Sequence, residues 1–365
     1  MLKIGDRQLS QKDILVAIVL ILVAIAAVWA MIGSKPKPVV MRPVNIPGGL
    51  VLQEGGQPGG GYGQFNYPRG VAVDNDGNIY VADSRNHRIQ KISGKNGKFL
   101  DQFGGFFDAA KFANGDSKKL INQGVGKLNE PNGVAFGGPD GLVYVVDTWN
   151  NRIQEFTTSG KSKKIFTSDD GFFAPRELAV YTNNNTGDPE SKNNGTVYVA
   201  DTGHHRIVKF DPSGKQIRSW GAVDPKTGAS VSGKKLGEFN EPIGLALDKA
   251  GNLYVADRLN FRIQVLSPDG KTISSWPVNG WSKEQVDMEP HLALDQVNGL
   301  IYATDGRGKK VYCYHLDGTL VSTIENDSTG NPLFSVPLGV GVDGNGNAYV
   351  VDAGAGKIFK IKGQF

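Results

Sequence analysis

The 365-residue chain carries a formal net charge of +4 and one cysteine, Cys313. A lone cysteine excludes an intramolecular disulfide, and so mild a charge fits an anionic partner without demanding one. Its 49 glycines fall mostly between apolar runs, where they read as turn punctuation and not as disorder.

Residues 1–13 form a short polar tail. From Ile14 to Ile32 no charged or strongly polar residue occurs over 19 positions. At roughly 1.5 Å per residue an α-helix of that length approaches the ~30 Å hydrocarbon thickness of a bilayer. Residues 14–33 therefore read as a single transmembrane helix. The apolar run is long for a cleaved signal, although Val28-Trp29-Ala30 offers a small-residue cleavage site, so an uncleaved signal anchor is expected. Lys3, Arg7 and Lys12 before the span are matched by Lys35, Lys37 and Arg42 after it, so basic residues leave the orientation tied. The arrangement looks like a retained export signal, which places the C-terminal domain outside the cytoplasm. Residues 34–48 hold four prolines and should form a stiff, extended spacer.

Residues 49–365 repeat one unit six times. Phe65 to Ser93 shows its form: an apolar residue three before a proline, a short apolar run, a Gly/Asn turn, and a strand ending in Asp. Five residues later a basic residue opens another strand. The prolines are Pro68, Pro131, Pro175, Pro242, Pro290 and Pro337. The aspartates are Asp83, Asp147, Asp201, Asp257, Asp305 and Asp352, spaced by 64, 54, 56, 48 and 47 residues. The basic residues are Arg88, Arg152, Arg206, Arg262, Lys310 and Lys357. A period near 50 made of strand signals alone predicts a radial β array. Only five units have a fourth strand, because the chain ends at Phe365. Gly49–Gln53, upstream of the first unit, is the expected substitute, closing the ring against the last unit. Polar insertions lengthen two connections, Phe106–Gly126 and Asn183–Gly195.

These units resemble NHL repeats, whose name-giving triplet appears in altered form as Asn86-His87-Arg88, Asn150-Asn151-Arg152 and His204-His205-Arg206. The resemblance covers about residues 50 to 365 and implies an all-β, six-bladed β-propeller behind the single N-terminal transmembrane helix. It does not imply one function, since propellers of this kind include RNA-binding and protein-binding modules, lyases and lactone hydrolases.

Features present in every unit are read as scaffold, so function is sought where the copies differ. The repeated Asp/basic pairs fall on the scaffold side: the Asp receives turn amides and meets the basic residue across a hairpin. Asp74-Asn75-Asp76-Gly77-Asn78 is read as a turn, since it lacks the terminal glutamate of a helix-flanked calcium loop. Residues following the prolines should approach the channel mouth: Arg69, Asn132, Arg176, Ile243, His291 and Leu338. Beside them lie Glu177 and the loops between second and third strands, with Arg85, His87, Trp149, Asn150, His204, His205, Arg258, Phe261 and Arg307. Arg and Trp are common at binding hot spots. The expected function is a scaffold or recognition module for a protein or glycan, with no cofactor. An enzyme of metal-dependent lyase or lactonase type, holding Ca or Zn in the channel, is the alternative. His291, Asn132 and Glu177 would then be its first candidates, few for a metal site. Nucleic acid is not expected, since single-stranded binding needs dense Lys/Arg with stacking aromatics and an exported domain rarely meets RNA.

Overall fold

The computed structural model describes residues 3–4, 7–8, 50–51, 58–108, 124–183, 193–282, 289–327 and 330–362. The expected membrane span and the proline-rich spacer lie outside them. Among the described residues no helix is long and apolar enough to cross a membrane. The chain divides into Met1–Arg42 and Pro43–Phe365. In the first unit Lys3–Ile4 pairs antiparallel with Arg7–Gln8.

The second unit is a ring of six antiparallel sheets. Blade 1 is Pro68–Val73, Asn78–Asp83, Arg88–Ser93 and Phe99–Gly104, counted outward from the channel. Blade 2 is Val134–Gly137, Leu142–Asp147, Arg152–Phe156 and Ser162–Phe166. Blade 3 is Glu177–Val180, Val197–Asp201, Arg206–Phe210 and Gln216–Val223, with Ser230–Val231 as an added outer strand. Blade 4 is Pro242–Leu247, Leu253–Asp257, Arg262–Leu266 and Thr272–Pro277. Blade 5 is Leu292–Asp295, Leu300–Asp305, Lys310–His315 and Leu320–Ile324. Blade 6 is Pro337–Val342, Asn347–Asp352 and Lys357–Lys362, and its fourth strand is Leu50–Val51. Val51 lies opposite Phe359 and Leu50 opposite Lys360, so the last blade takes its outer strand from the beginning of the domain.

Strand periodicity explains how one ring shares its core among six wedges. Alternate side chains of a strand point to opposite faces of its sheet. Ile79 and Val81 accordingly pack toward blade 6 with Tyr349, Val351 and Ile358. Tyr80 and Ala82, between and beside them, pack toward blade 2 with Val143 and Val145. The same alternation builds apolar clusters between blades 2 and 3, 3 and 4, 4 and 5, and 5 and 6. Cys313 is one of the packed strand residues, in the cluster between blades 5 and 6.

The Pro-x-Gly signature has a steric cause. Neighbouring innermost strands approach so closely that a Cβ at Gly70 would lie 2.4 Å from the Asn132 carbonyl oxygen. At Gly339 it would lie 1.9 Å from that of Arg69. Blades 3 and 5 depart from this rule, with Glu177 and Leu292 at the glycine position.

Candidate functional site

The residues that recur in each blade form a clamp. In blade 1 the Asp83 carboxylate accepts from the Asn66 amide at 2.7 Å, Arg88 Nε at 2.7 Å, and the side-chain amides of Asn86 and Gln90, both at 2.9 Å. Arg88 also donates to the carbonyls of Gly61 and Gln64, which fastens the loop leading into the blade. Asp147–Arg152, Asp201–Arg206 and Asp257–Arg262 repeat the ion pair at 2.7, 2.8 and 2.8 Å. Blades 5 and 6 depart from the expected pairing. Lys310 turns to Glu325 at 3.6 Å, and Asp305 accepts from the Gly308 amide. Asp352 accepts only backbone amides, from Ser335, Val336 and Ala355. A lysine lacks the rigid fork that lets Arg88 hold a carboxylate and two carbonyls together.

After each clamp aspartate in blades 1 to 4 a short 3₁₀ turn leads to a left-handed residue: His87, Asn151, His205 and Phe261, with φ of 54°, 49°, 53° and 54°. In three cases this residue bonds across to the next blade. His87 Nδ1 accepts from the Glu130 amide at 3.0 Å, Asn151 Oδ1 from the Ala174 amide at 3.0 Å, and His205 Nδ1 from the Glu241 amide at 3.0 Å. Burial holds both histidines below the ordinary value of 6.5, as suits a ring nitrogen that must accept. His204 Nδ1 contacts the clamp carboxylate of Asp201 at 2.9 Å. In both His204 and His205 it is Nδ1 that is engaged within the scaffold. Phe261 packs on the core between blades 4 and 5, and Arg307 is exposed on the turn between the second and third strands of blade 5.

The polar cluster forms at the mouth of the channel. A cavity of about 150 Å³ is lined by Tyr67, Arg69, Arg176, Thr202, Glu241, Ile243, Arg258 and Glu289. Arg176 Nη1 contacts Glu289 Oε1 at 3.3 Å, and Arg69 Nε lies 3.2 Å from Glu289 Oε2. With its amide oxygen turned toward the two guanidiniums, Asn132 accepts from Arg69 at 3.2 Å and Arg176 at 3.0 Å. Arg258 pairs with Glu241. Burial, and after it the neighbouring Arg69 and Arg258, pull the Arg176 guanidinium below its ordinary value, with Glu289 opposing them. The site is thus a desolvated group of like charges held by few carboxylates.

Aromatic rings flank it. Arg69 and Arg85 lie over the Tyr67 ring at 5.2 and 4.3 Å, and Arg176 over Trp149 at 5.4 Å. Trp149 Nε1 donates to Glu130 at 3.2 Å. Phe106 packs tilted against His87 and Phe173 against His204, at 4.6 and 5.7 Å between centroids. Phe106, Trp149 and Phe173 remain 56, 43 and 56 % exposed, so the loops of neighbouring blades present large rings to solvent, with Trp149 against Arg176.

A separate cavity of about 210 Å³, the channel proper, is lined by the innermost strands, with Glu177 among its walls. His291 Nδ1 meets Glu177 Oε2 at 2.5 Å, joining blades 3 and 5, and both residues are buried. His291 Nε2 is buried without a hydrogen-bond partner. Among the described residues no group of three His, Cys, Asp or Glu side chains is placed to hold a metal ion. Asp74 works as a turn residue, its carboxylate accepting from the Asp76 and Asn78 amides, the Asn78 side chain and Tyr80 Oη.

Of the residues singled out in the sequence, Arg69, Asn132, Trp149, Arg176 and Arg258 come together at the mouth, and Glu177 meets His291 beneath it. Sequence reasoning missed Tyr67, Glu130, Glu241 and Glu289. All four immediately precede a blade proline. Three of them, Tyr67, Glu130 and Glu241, have positive φ.

Six wedge-shaped sheets around a channel, with a polar mouth at one end, define a six-bladed β-propeller. NHL repeats are detected in it: the family model matches residues 65–92, 128–156, 191–210 and 239–266, in blades 1 to 4. Among curated proteins the chain is 28% identical over 222 residues to NHL repeat-containing protein 2 of Bos taurus, covering 59% of this chain and 22% of that protein. It is 24% identical over 304 residues to the peptidyl-glycine alpha-amidating monooxygenase of Mus musculus, covering 81% of this chain and 23% of that protein. The chain spans about a quarter of the length of the curated relatives it matches. Among solved structures a gluconolactonase from Xanthomonas campestris superposes with a TM-score of 0.55 at 13% identity, over 88% of this chain and 97% of that one. So low an identity carries the fold and nothing of the reaction.

Proposed function

We propose that this propeller is a recognition module, anchored in a membrane through residues 14–33, whose mouth face binds a protein or glycan partner outside the cytoplasm. One observation carries the reading: desolvated arginines gather at the mouth with Arg176 over the exposed Trp149 ring, and the neighbouring loops expose Phe106 and Phe173 as well. Flat apolar area next to directed donors is the composition of binding hot spots. The apolar run and the proline-rich spacer support the anchoring. Crosslinking and pull-down from native membranes tests the proposal, comparing wild type with an Arg69→Ala/Trp149→Ala/Arg176→Ala variant. Loss of specific capture by a variant that still melts cooperatively is expected; unchanged capture would contradict it.

A second reading rests on the Glu177–His291 pair. A carboxylate holding one imidazole nitrogen while the other lacks a partner is the arrangement of an oriented general base. Against it, His291 is only 1% exposed, which leaves a substrate no approach. Turnover of a lactone panel that disappears in His291→Gln would favour this reading over binding alone.

A further inference from the structure

Two Arg–carboxylate arrangements in this molecule differ in quality. In the blade 2 clamp, Arg152 Nε meets Asp147 at 2.7 Å and the aspartate also accepts from Asn129, Asn150 and Gln154. That is the short, aligned geometry of a fitted charge-assisted bond. At the mouth, Arg69 Nε and Glu289 Oε2 are 3.2 Å apart, yet each is a buried atom without a hydrogen-bond partner, because their alignment is poor. Arg176 reaches Glu289 only at 3.3 Å. Burying polar groups without an aligned bond is costly, so Glu289 fills this pocket without satisfying it.

We infer that the pocket of Arg69, Arg176 and Arg258 seats an acidic side chain of a protein partner, with Glu289 occupying it in the partner's absence. This rests on the reading of the mouth as a binding face and names the chemistry that face selects. A cavity of about 150 Å³ beside Glu289 gives a second carboxylate room to approach the guanidiniums. Tyr67 and Trp149 hold Arg69 and Arg176 by their faces, leaving the guanidinium edges to donate.

The neighbouring surface favours a peptide over an acidic sugar. Reading sugar hydroxyls takes polar groups beside the stacking ring. Here His87, Asn151 and His204 have ring or amide atoms engaged in bonds within and between blades. The surface left around them is ring: Phe106, Trp149 and Phe173. An acidic side chain next to apolar ones matches both parts.

Peptide-display selection on the full-length chain in detergent tests this, followed by titration of the selected peptide, its Glu→Gln or Asp→Asn counterpart, and hexagalacturonate. Selected peptides are expected to pair Glu or Asp with aromatic or aliphatic residues. Glu289→Gln removes the charge of the internal occupant and should tighten binding of the acidic peptide about tenfold, the worth of one charge-assisted bond. Arg69→Met/Arg176→Met should abolish that binding, while Arg69→Lys should retain part of it. Selection without acidic enrichment, Glu289→Gln binding no tighter than wild type, or hexagalacturonate binding more tightly than the peptide would each overturn the inference. If the triple alanine variant loses capture from membranes while Glu289→Gln changes nothing, the binding face stands and its acidic occupant falls. If capture survives the triple variant, both fall.

Discussion

Blades 1 to 4 and blades 5 to 6 reach one architecture by different means. The first four lock the Asp at the end of the second strand with an arginine that also grips the incoming loop. The last two keep the aspartate as an acceptor of backbone or tyrosine donors and leave lysine outside the clamp. All six nonetheless contribute to the apolar clusters between blades. The wedge shape therefore comes from apolar alternation, and the arginine clamp is an addition that fixes loops. The four segments matched by the NHL family model carry the clamps of blades 1 to 4, so what is recognisable as the repeat in sequence is largely the clamp.

The largest effect should come from where this comparison meets ring closure. Removing residues 48–55 takes the outer strand from a blade that has no arginine clamp and exposes the edge of Lys357–Lys362. We expect a fall in melting temperature greater than that of any single substitution below, with aggregation; unchanged melting would show that closure is carried elsewhere. Next is Arg152→Ala, which leaves Asp147 buried and unpaired and should cost about 3–5 kcal/mol in denaturant unfolding. The blade bonds of His87 and His205 come third. Both rings are held below 6.5, so as pH falls the unfolded chain takes up protons first, and stability is lost on acidification from about pH 6.5 down to the depressed native values. A His87→Gln/His205→Gln variant, which accepts without titrating, should show a flatter melting profile over that range. Lys357→Ala should be smallest, within about 0.5 kcal/mol, as for a surface change outside a clamp. A cost like that of Arg152→Ala would erase the distinction between the two groups of blades.

The ring was legible because its landmarks have physical causes that repeat. The proline leads into the innermost strand, the glycine two later in blades 1, 2, 4 and 6 allows close approach of the next blade, and the aspartate ends the second strand. What the basic residue does was less legible, since Arg and Lys sit at one spacing but only the guanidinium has the geometry to bridge carboxylate and carbonyls. At the mouth, attention to the residue after each proline found Arg69, Asn132 and Arg176. The residue before it was not singled out, yet it brings in Tyr67, Glu130, Glu241 and Glu289. Three glutamates at one slot of the repeat were a visible signal, and positive φ at Glu130 and Glu241 could not be read from residue type. The part His205 plays in the scaffold was not legible either: its Nδ1 serves the next blade's backbone, and spacing does not show which nitrogen is engaged.

On the proposed function, the mouth face and not the outer strands meets the partner. Hydroxyl-radical footprinting of the full-length chain in native membranes, with and without crosslinked partner, tests it most directly. The expected result is protection of Phe106, Trp149 and Phe173 with unchanged oxidation of the exposed outer-strand residues Ile217 and Ile273. Protection of Ile217 and Ile273, with the three rings still reactive, would contradict the account.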